Sequence, residues 1–212
     1  MGIWKIEEPW QDMLALFQNN ALYTDDLQKI QSPKRKCEWL AVRLLLKHLT
    51  GAEMLIGYRE NGTPFIKNNS YRISISHTKG YAALILSKRP DPGIDIEYRS
   101  ERAWKLRHRF MNATELEQFI LFHPDYQPDP EMVIQQSTLA AICWCAKETA
   151  FKALQENEVD FISHFHIAPF AISDKGIIRL KETKTTKQKI FPIHYQVTDD
   201  FILTWKDCRD AM

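Results

Sequence analysis

Apolar and polar residues follow two different periods along this chain, and the order in which those periods appear repeats once. Pro33 to Leu49 has the three-to-four spacing of an amphipathic helix. After it come a hairpin-like segment, Ile56 to Ile66, turning at Asn61-Gly62, then an alternating segment, Tyr71 to Ser76, and an apolar run, Tyr81 to Ser87. A second helix is expected from about Thr138 to Leu154, where Leu139, Cys143, Ala146, Ala150 and Leu154 make one apolar stripe. Strand patterns follow again: His164 to Ile172, a turn at Asp174-Lys175-Gly176, Ile177 to Leu180, then Ile190 to Val197 and Phe201 to Trp205 around Asp199-Asp200. A helix followed by antiparallel strands, twice over, predicts an α+β fold: a pseudo-dimer of two similar halves, each a helix packed on an antiparallel sheet. Lys88-Arg89-Pro90-Asp91-Pro92 interrupts the strand pattern and sets the expected halves at residues 1–91 and 92–212, with a ligand cleft expected at their junction.

Composition narrows the class of function. With 212 residues, 44% of them hydrophobic, the chain can bury one large core or two modest ones. Its 28 basic and 27 acidic residues nearly cancel, so whole-protein charge makes no case for nucleic-acid binding. No apolar run is long enough to span a membrane, and Glu7 and Glu8 argue against a signal peptide, so a cytoplasmic protein, acting as a monomer, is expected. Cys37, Cys143, Cys145 and Cys208 lack a repeated pair spacing and read as reduced thiols, with Cys143 and Cys145 buried in the second helix.

Chemistry-bearing residues gather in three short segments. In Gly93-Ile94-Asp95-Ile96-Glu97, strand alternation puts Asp95 and Glu97 on one face and the two isoleucines on the opposite, core-facing one. Carboxylates that close repel unless a cation or a shared proton compensates. The second segment, Trp144 to Lys152, lies in the second expected helix. At about 100° per residue, Trp144, Glu148 and Lys152 fall opposite the apolar stripe, where they line a cleft, Glu148 reaching a metal and Lys152 a phosphate. Ile75-Ser76-His77-Thr78 ends an alternating strand, and Arg35, Trp39 and Arg43 recur every fourth residue as a basic and aromatic stripe suited to an anion. The His164-x-His166 pair would share a strand face, but no third ligand accompanies it.

Gly-Ile-Asp-Ile-Glu, the following Trp-x-x-Lys-Glu-x-x-x-Lys and the preceding Ser-His-Thr together resemble the phosphopantetheinyl transferases of the larger, surfactin-synthetase-activating type. The resemblance implies transfer of the phosphopantetheine arm of coenzyme A to a serine of an apo acyl or peptidyl carrier protein, releasing adenosine 3′,5′-bisphosphate. It implies magnesium on Asp95, Glu97 and Glu148, with Glu148 as ligand or general base and Lys152, with Lys147 assisting, at the phosphates. His77, Ser76, Arg43 and Arg35 are placed by resemblance at the adenosine 3′-phosphate. One departure is Gly62-Thr63-Pro64, where many relatives carry Gly-Lys-Pro; Lys67, Arg72 and Lys79 are candidate replacements for that charge. The basic segment Arg99 to Arg109 and the Phe110 to Phe122 stretch are candidate docking surfaces for an acidic carrier. Two other readings use the same residues: a metal-dependent phosphodiesterase, which would turn over coenzyme A alone, and a module that binds coenzyme A or a nucleotide without consuming it.

Overall fold

The computed structural model describes residues 1–67, 71–119 and 130–206. The chain divides into two units, Met1–Pro90 and Asp91–Met212. The first unit opens with strand β1 (Gly2–Lys5) and helices α1 (Trp10–Ala15), α2 (Ala21–Lys29) and α3 (Pro33–Thr50). Strands β2 (Ile56–Tyr58), β3 (Pro64–Ile66), β4 (Arg72–Thr78) and β5 (Tyr81–Ser87) complete it. The second runs from β6 (Gly93–Tyr98) through α4 (Arg102–Leu106), a 3-10 turn at Arg107–Arg109, α5 (Ala113–Phe119) and α6 (Pro130–Leu154). It ends with α7 (Phe161–His164), β7 (Phe165–Ile167), β8 (Lys175–Glu182), β9 (Ile190–Val197) and β10 (Phe201–Lys206). Mixed helix and antiparallel sheet is therefore the observed class. Among the described residues no helix is long and apolar enough to cross a membrane.

Each unit has its own five-stranded sheet, and the two sheets share one strand order. The first is β1-β5-β4-β3-β2 and the second β6-β10-β9-β8-β7, so in both the opening strand pairs with the closing one. Both opening strands begin Gly-Ile, and in both the glycine faces the long helix: a Cβ at Gly2 would lie 2.9 Å from Leu45 on α3, and one at Gly93 would overlap the Thr149 carbonyl on α6. At Gly93 the obstacle is backbone, so only a residue without a Cβ lets strand and helix approach so closely there; at Gly2 it is the tip of the Leu45 side chain.

Local chemistry explains where α3 starts and stops. Ser32 accepts a hydrogen bond from the Arg35 amide, Pro33 occupies the first turn, and Gly51 closes the helix in the left-handed region at φ 73°. Its buried residues, Leu40, Ala41, Leu44 and Leu45 among them, pack with Ile73, Ala82 and Leu84 of β4 and β5. In the second unit, Leu139, Cys143, Ala146 and Ala150 of α6 pack with Ile178, Leu180, Ile193 and Ile202 of the sheet.

The sequence pattern does not predict the short helices α1, α2, α4 and α5, β7 is shorter than the expected His164 to Ile172, and three further differences have a local cause. Helix α6 starts at Pro130, ahead of the expected Thr138, because its buried face there carries Gln136 and Ser137, polar residues that hide the apolar period. The chain from Phe161 to His164 is helical because the Asp160 carboxylate caps it, accepting from the Ile162 and Ser163 amides at 3.1 and 2.7 Å. Strand β1 has no counterpart in the sequence reading: four residues are too few for a period, and its partner β5 lies far along the chain.

The contact at Gly93 yields a prediction. Gly93→Ala should cost about 3 kcal/mol, the scale of overpacking against backbone, and lower the urea midpoint without changing the slope. A midpoint equal to the wild type's would contradict this close approach.

Candidate active site

Strand β6 and helix α6 build the site. Because Gly93 lies under the Thr149 carbonyl, the face of β6 that carries Asp95 and Glu97 is the one turned toward α6. Ile94 and Ile96 occupy the opposite face, turned away from the helix, and are fully buried there, as alternation predicts. Strand β10 runs antiparallel beside β6, with Thr204 opposite Asp95 and Ile202 opposite Glu97. Thr204 pins that register to the helix, donating to the Cys145 carbonyl at 2.8 Å and sharing a 2.6 Å hydrogen bond with the Thr149 hydroxyl.

One turn of α6 then faces the carboxylates. The Lys152 ammonium donates to Asp95 Oδ1 at 2.8 Å and to the Ile94 carbonyl at 3.2 Å. Cys145, wholly buried, donates its thiol hydrogen bond to Asp95, and burial together with the Asp95 and Glu97 charges pushes that thiol well above its usual range. Cys145 thus remains a thiol and supports the aspartate.

Negative charge exceeds positive charge in this cluster. Burial, reinforced by Asp95 and Glu97 and opposed by Lys152, pushes the Glu148 carboxyl up to about 7. Burial and then Asp95 raise Glu97, with Arg102 and Lys152 acting the other way. Hard carboxylate oxygens carrying surplus charge suit magnesium in donor chemistry. In arrangement, no three or more His, Cys, Asp or Glu side chains among the described residues are gathered to hold one ion.

Other expected site residues lie elsewhere. Lys147 is a correction. It is fully buried and donates to the Phe110 carbonyl (2.7 Å), Glu115 Oε2 (2.7 Å) and the Phe161 carbonyl (3.0 Å), so all three N–H groups are spent inside the unit. The reason is angular: neighbours on a helix point about 100° apart, and Glu148 takes the site-facing direction. Trp144 is also corrected; it packs edge-on to Phe110 and tilted to Phe161 rather than lining a cleft with Glu148. Phe110 is buried in this cluster and offers no docking surface, and residues 120–122 of that stretch lie outside the described residues, as does Cys208. His164 and His166 do not share a strand: His164 ends α7 and accepts from the Asp160 amide at 2.9 Å, while His166 pairs with the Ser163 carbonyl at 3.1 Å.

In the first unit, Arg35 and His77 come together. Arg35 Nη1 meets His77 Nε2 and also Glu38 Oε2, the latter at 3.2 Å. Sequence reasoning missed Glu38, although its spacing of three from Arg35 and four from Lys34 is a helical ion-pair signal. Ser76 is buried on the other face of β4 from His77. Arg43 occupies a different setting, stacked on the Trp39 ring, donating to the Trp39 carbonyl at 3.0 Å and hydrogen-bonded to Tyr58; burial brings it down to about 10. Lys67, Arg72 and Lys79 are all exposed, and nothing in their placement singles one out.

The raised Glu148 carboxyl makes stability fall with pH. Between about 4.5, its ordinary value, and about 7 the folded protein keeps a proton that the unfolded chain has lost, so stability declines as pH rises through that window and the full penalty stands above it. In chelator, Glu148→Gln should therefore be more stable than the wild type at pH 8 by about 2 kcal/mol, the gap closing by pH 4.5 in urea titrations. A gap independent of pH would contradict the assignment.

No curated protein matches this chain. A family model does: that of the 4′-phosphopantetheinyl transferase superfamily matches residues 91–205, more than half of the chain, a span that contains Asp95, Glu97, Glu148, Lys152 and the second sheet but for the last residue of β10. The unit that gathers the carboxylates is thus the part the family describes, and the chain belongs to the 4′-phosphopantetheinyl transferase superfamily.

Proposed function

We propose that the protein transfers the phosphopantetheine arm of coenzyme A to a serine of an apo acyl or peptidyl carrier protein, releasing adenosine 3′,5′-bisphosphate. The observation that carries this reading is the Asp95–Glu97–Glu148–Lys152 cluster inside the matched span. The shared strand order of the two sheets, with a glycine against the long helix in each, supports the larger, two-unit type and its reading as a pseudo-dimer.

Each residue takes a role from its charge and partners. Glu148, held near neutrality, is matched to accept the proton that the carrier serine loses as it attacks the β-phosphorus of coenzyme A. Lys152 is oriented by Asp95 and the Ile94 carbonyl and brings positive charge to the pyrophosphate. Asp95 and Glu97, with Glu148 where it serves as ligand instead of base, would hold magnesium, which when bound would offset the charge building on the leaving phosphate. At the remote end of coenzyme A, His77 and Arg35 meet the 3′-phosphate. Arg102, close enough to Glu97 to lower its proton affinity, and Lys105, on the same short helix, form the carrier-facing basic surface.

Incubating the protein with coenzyme A, magnesium and the host's apo carrier proteins, then weighing the carriers, tests the reading. A carrier should gain the mass of the phosphopantetheine arm, and Glu148→Gln should slow this by on the order of a hundredfold at saturating coenzyme A, the scale of losing a general base. Consumption of coenzyme A without any carrier would contradict the transferase and identify a hydrolase.

A further inference from the structure

Glu38 is 7% exposed, yet three basic side chains converge on its carboxylate. Arg35 Nη1 reaches Oε2 at 3.2 Å, His77 Nδ1 approaches the same oxygen at 3.7 Å, and Lys34 Nζ lies 3.8 Å from Oε1. The two layers differ in access to water. The side chains of Lys34, Arg35 and His77 are 67%, 51% and 37% exposed, while that of Glu38 is 9% exposed beneath them. The core enforces the approach, because His77 stands on the same face of β4 as Ile73 and Ile75, which pack with the apolar cluster of α3.

We infer that Glu38 is the positioning residue of a phosphate site formed by Arg35 and His77, an inference that rests on the proposed binding of coenzyme A for the identity of the ligand. A buried carboxylate is a costly device for stability alone, since exposed ion pairs return little. It does solve a different problem. Basic groups set to converge on an anion repel one another before the anion arrives, and one shared carboxylate underneath offsets that repulsion while fixing their rotamers. The outer side keeps a positive surplus: two fixed cations and an imidazole stand over a single negative charge, as a phosphate monoester requires. Glu38 itself does not touch the phosphate.

Calorimetric titration of the full chain with adenosine 3′,5′-bisphosphate and with adenosine 5′-monophosphate tests this without using turnover. The wild type should prefer the bisphosphate. Glu38→Gln should weaken the bisphosphate by about tenfold, the scale of one lost pre-ordered side chain, while leaving the monophosphate where it was, so that the preference collapses. Glu38→Asp, which keeps the charge on a shorter arm, should fall between and serves if the glutamine variant does not fold. Equal weakening of both ligands would reduce Glu38 to a structural residue, and an unchanged preference in either variant would overturn the inference. Failure of the proposed reaction reads out separately: a protein that modifies no carrier but shows the Glu38-dependent preference retains this inference and loses that one.

Discussion

Like charges held together between β6 and α6 set the terms for the second unit. Asp95, Glu97 and Glu148 share a half-buried space with one close ammonium, and burial, with their mutual repulsion added to it, raises the Glu97 and Glu148 carboxyls. Keeping them there requires a strand and a helix in close and fixed register. Gly93 allows the closeness, Thr204 and Thr149 fix the register, and Lys152 with Cys145 hold Asp95 in place. A fold selected for stability alone would have no use for this arrangement, whereas surplus negative charge is what the proposed cation site would require.

The same framework recurs in the first unit with different contents. Its opening strand also begins Gly-Ile and also lies against the long helix, but Trp4 follows where Asp95 stands in the second unit. Its charged chemistry sits instead at the start of α3 and the end of β4, where a single buried carboxylate is outnumbered by basic groups. The carboxylate cluster of the second unit is thus rich in negative charge, and the cluster of the first unit is rich in positive charge.

Much of this was legible in the sequence, and the failures share a cause. Tyr81 to Ser87 and Ile190 to Val197 coincide with β5 and β9 because each is a β-rich run bounded by turn residues. The Asp95–Glu97 pair and Glu148 with Lys152 were found because residues two apart on a strand and four apart on a helix share a face. What pattern alone does not reveal is which face meets which neighbour. Alternation separates Ile94 and Ile96 from the carboxylates but says nothing about which side α6 covers. Lys147 carries the charge of a phosphate ligand, and only its encounter with Glu115, far along the chain, shows that it is an internal tie. Burial hid Glu38 in the same way: its helical spacing is readable, but its depth beneath His77 depends on how β4 packs against α3.

The claim that the carboxylates of β6 and α6 form a cation site is tested most directly by the magnesium dependence of thermal unfolding in the presence of coenzyme A. A cation bound only by the folded state raises the melting temperature as its concentration passes the dissociation constant. The account predicts such a rise for the wild type and its loss in Glu97→Gln, which removes one charge and leaves the Asp95–Lys152 pair intact. A magnesium-dependent rise of the same size in Glu97→Gln, or none in the wild type, would contradict it.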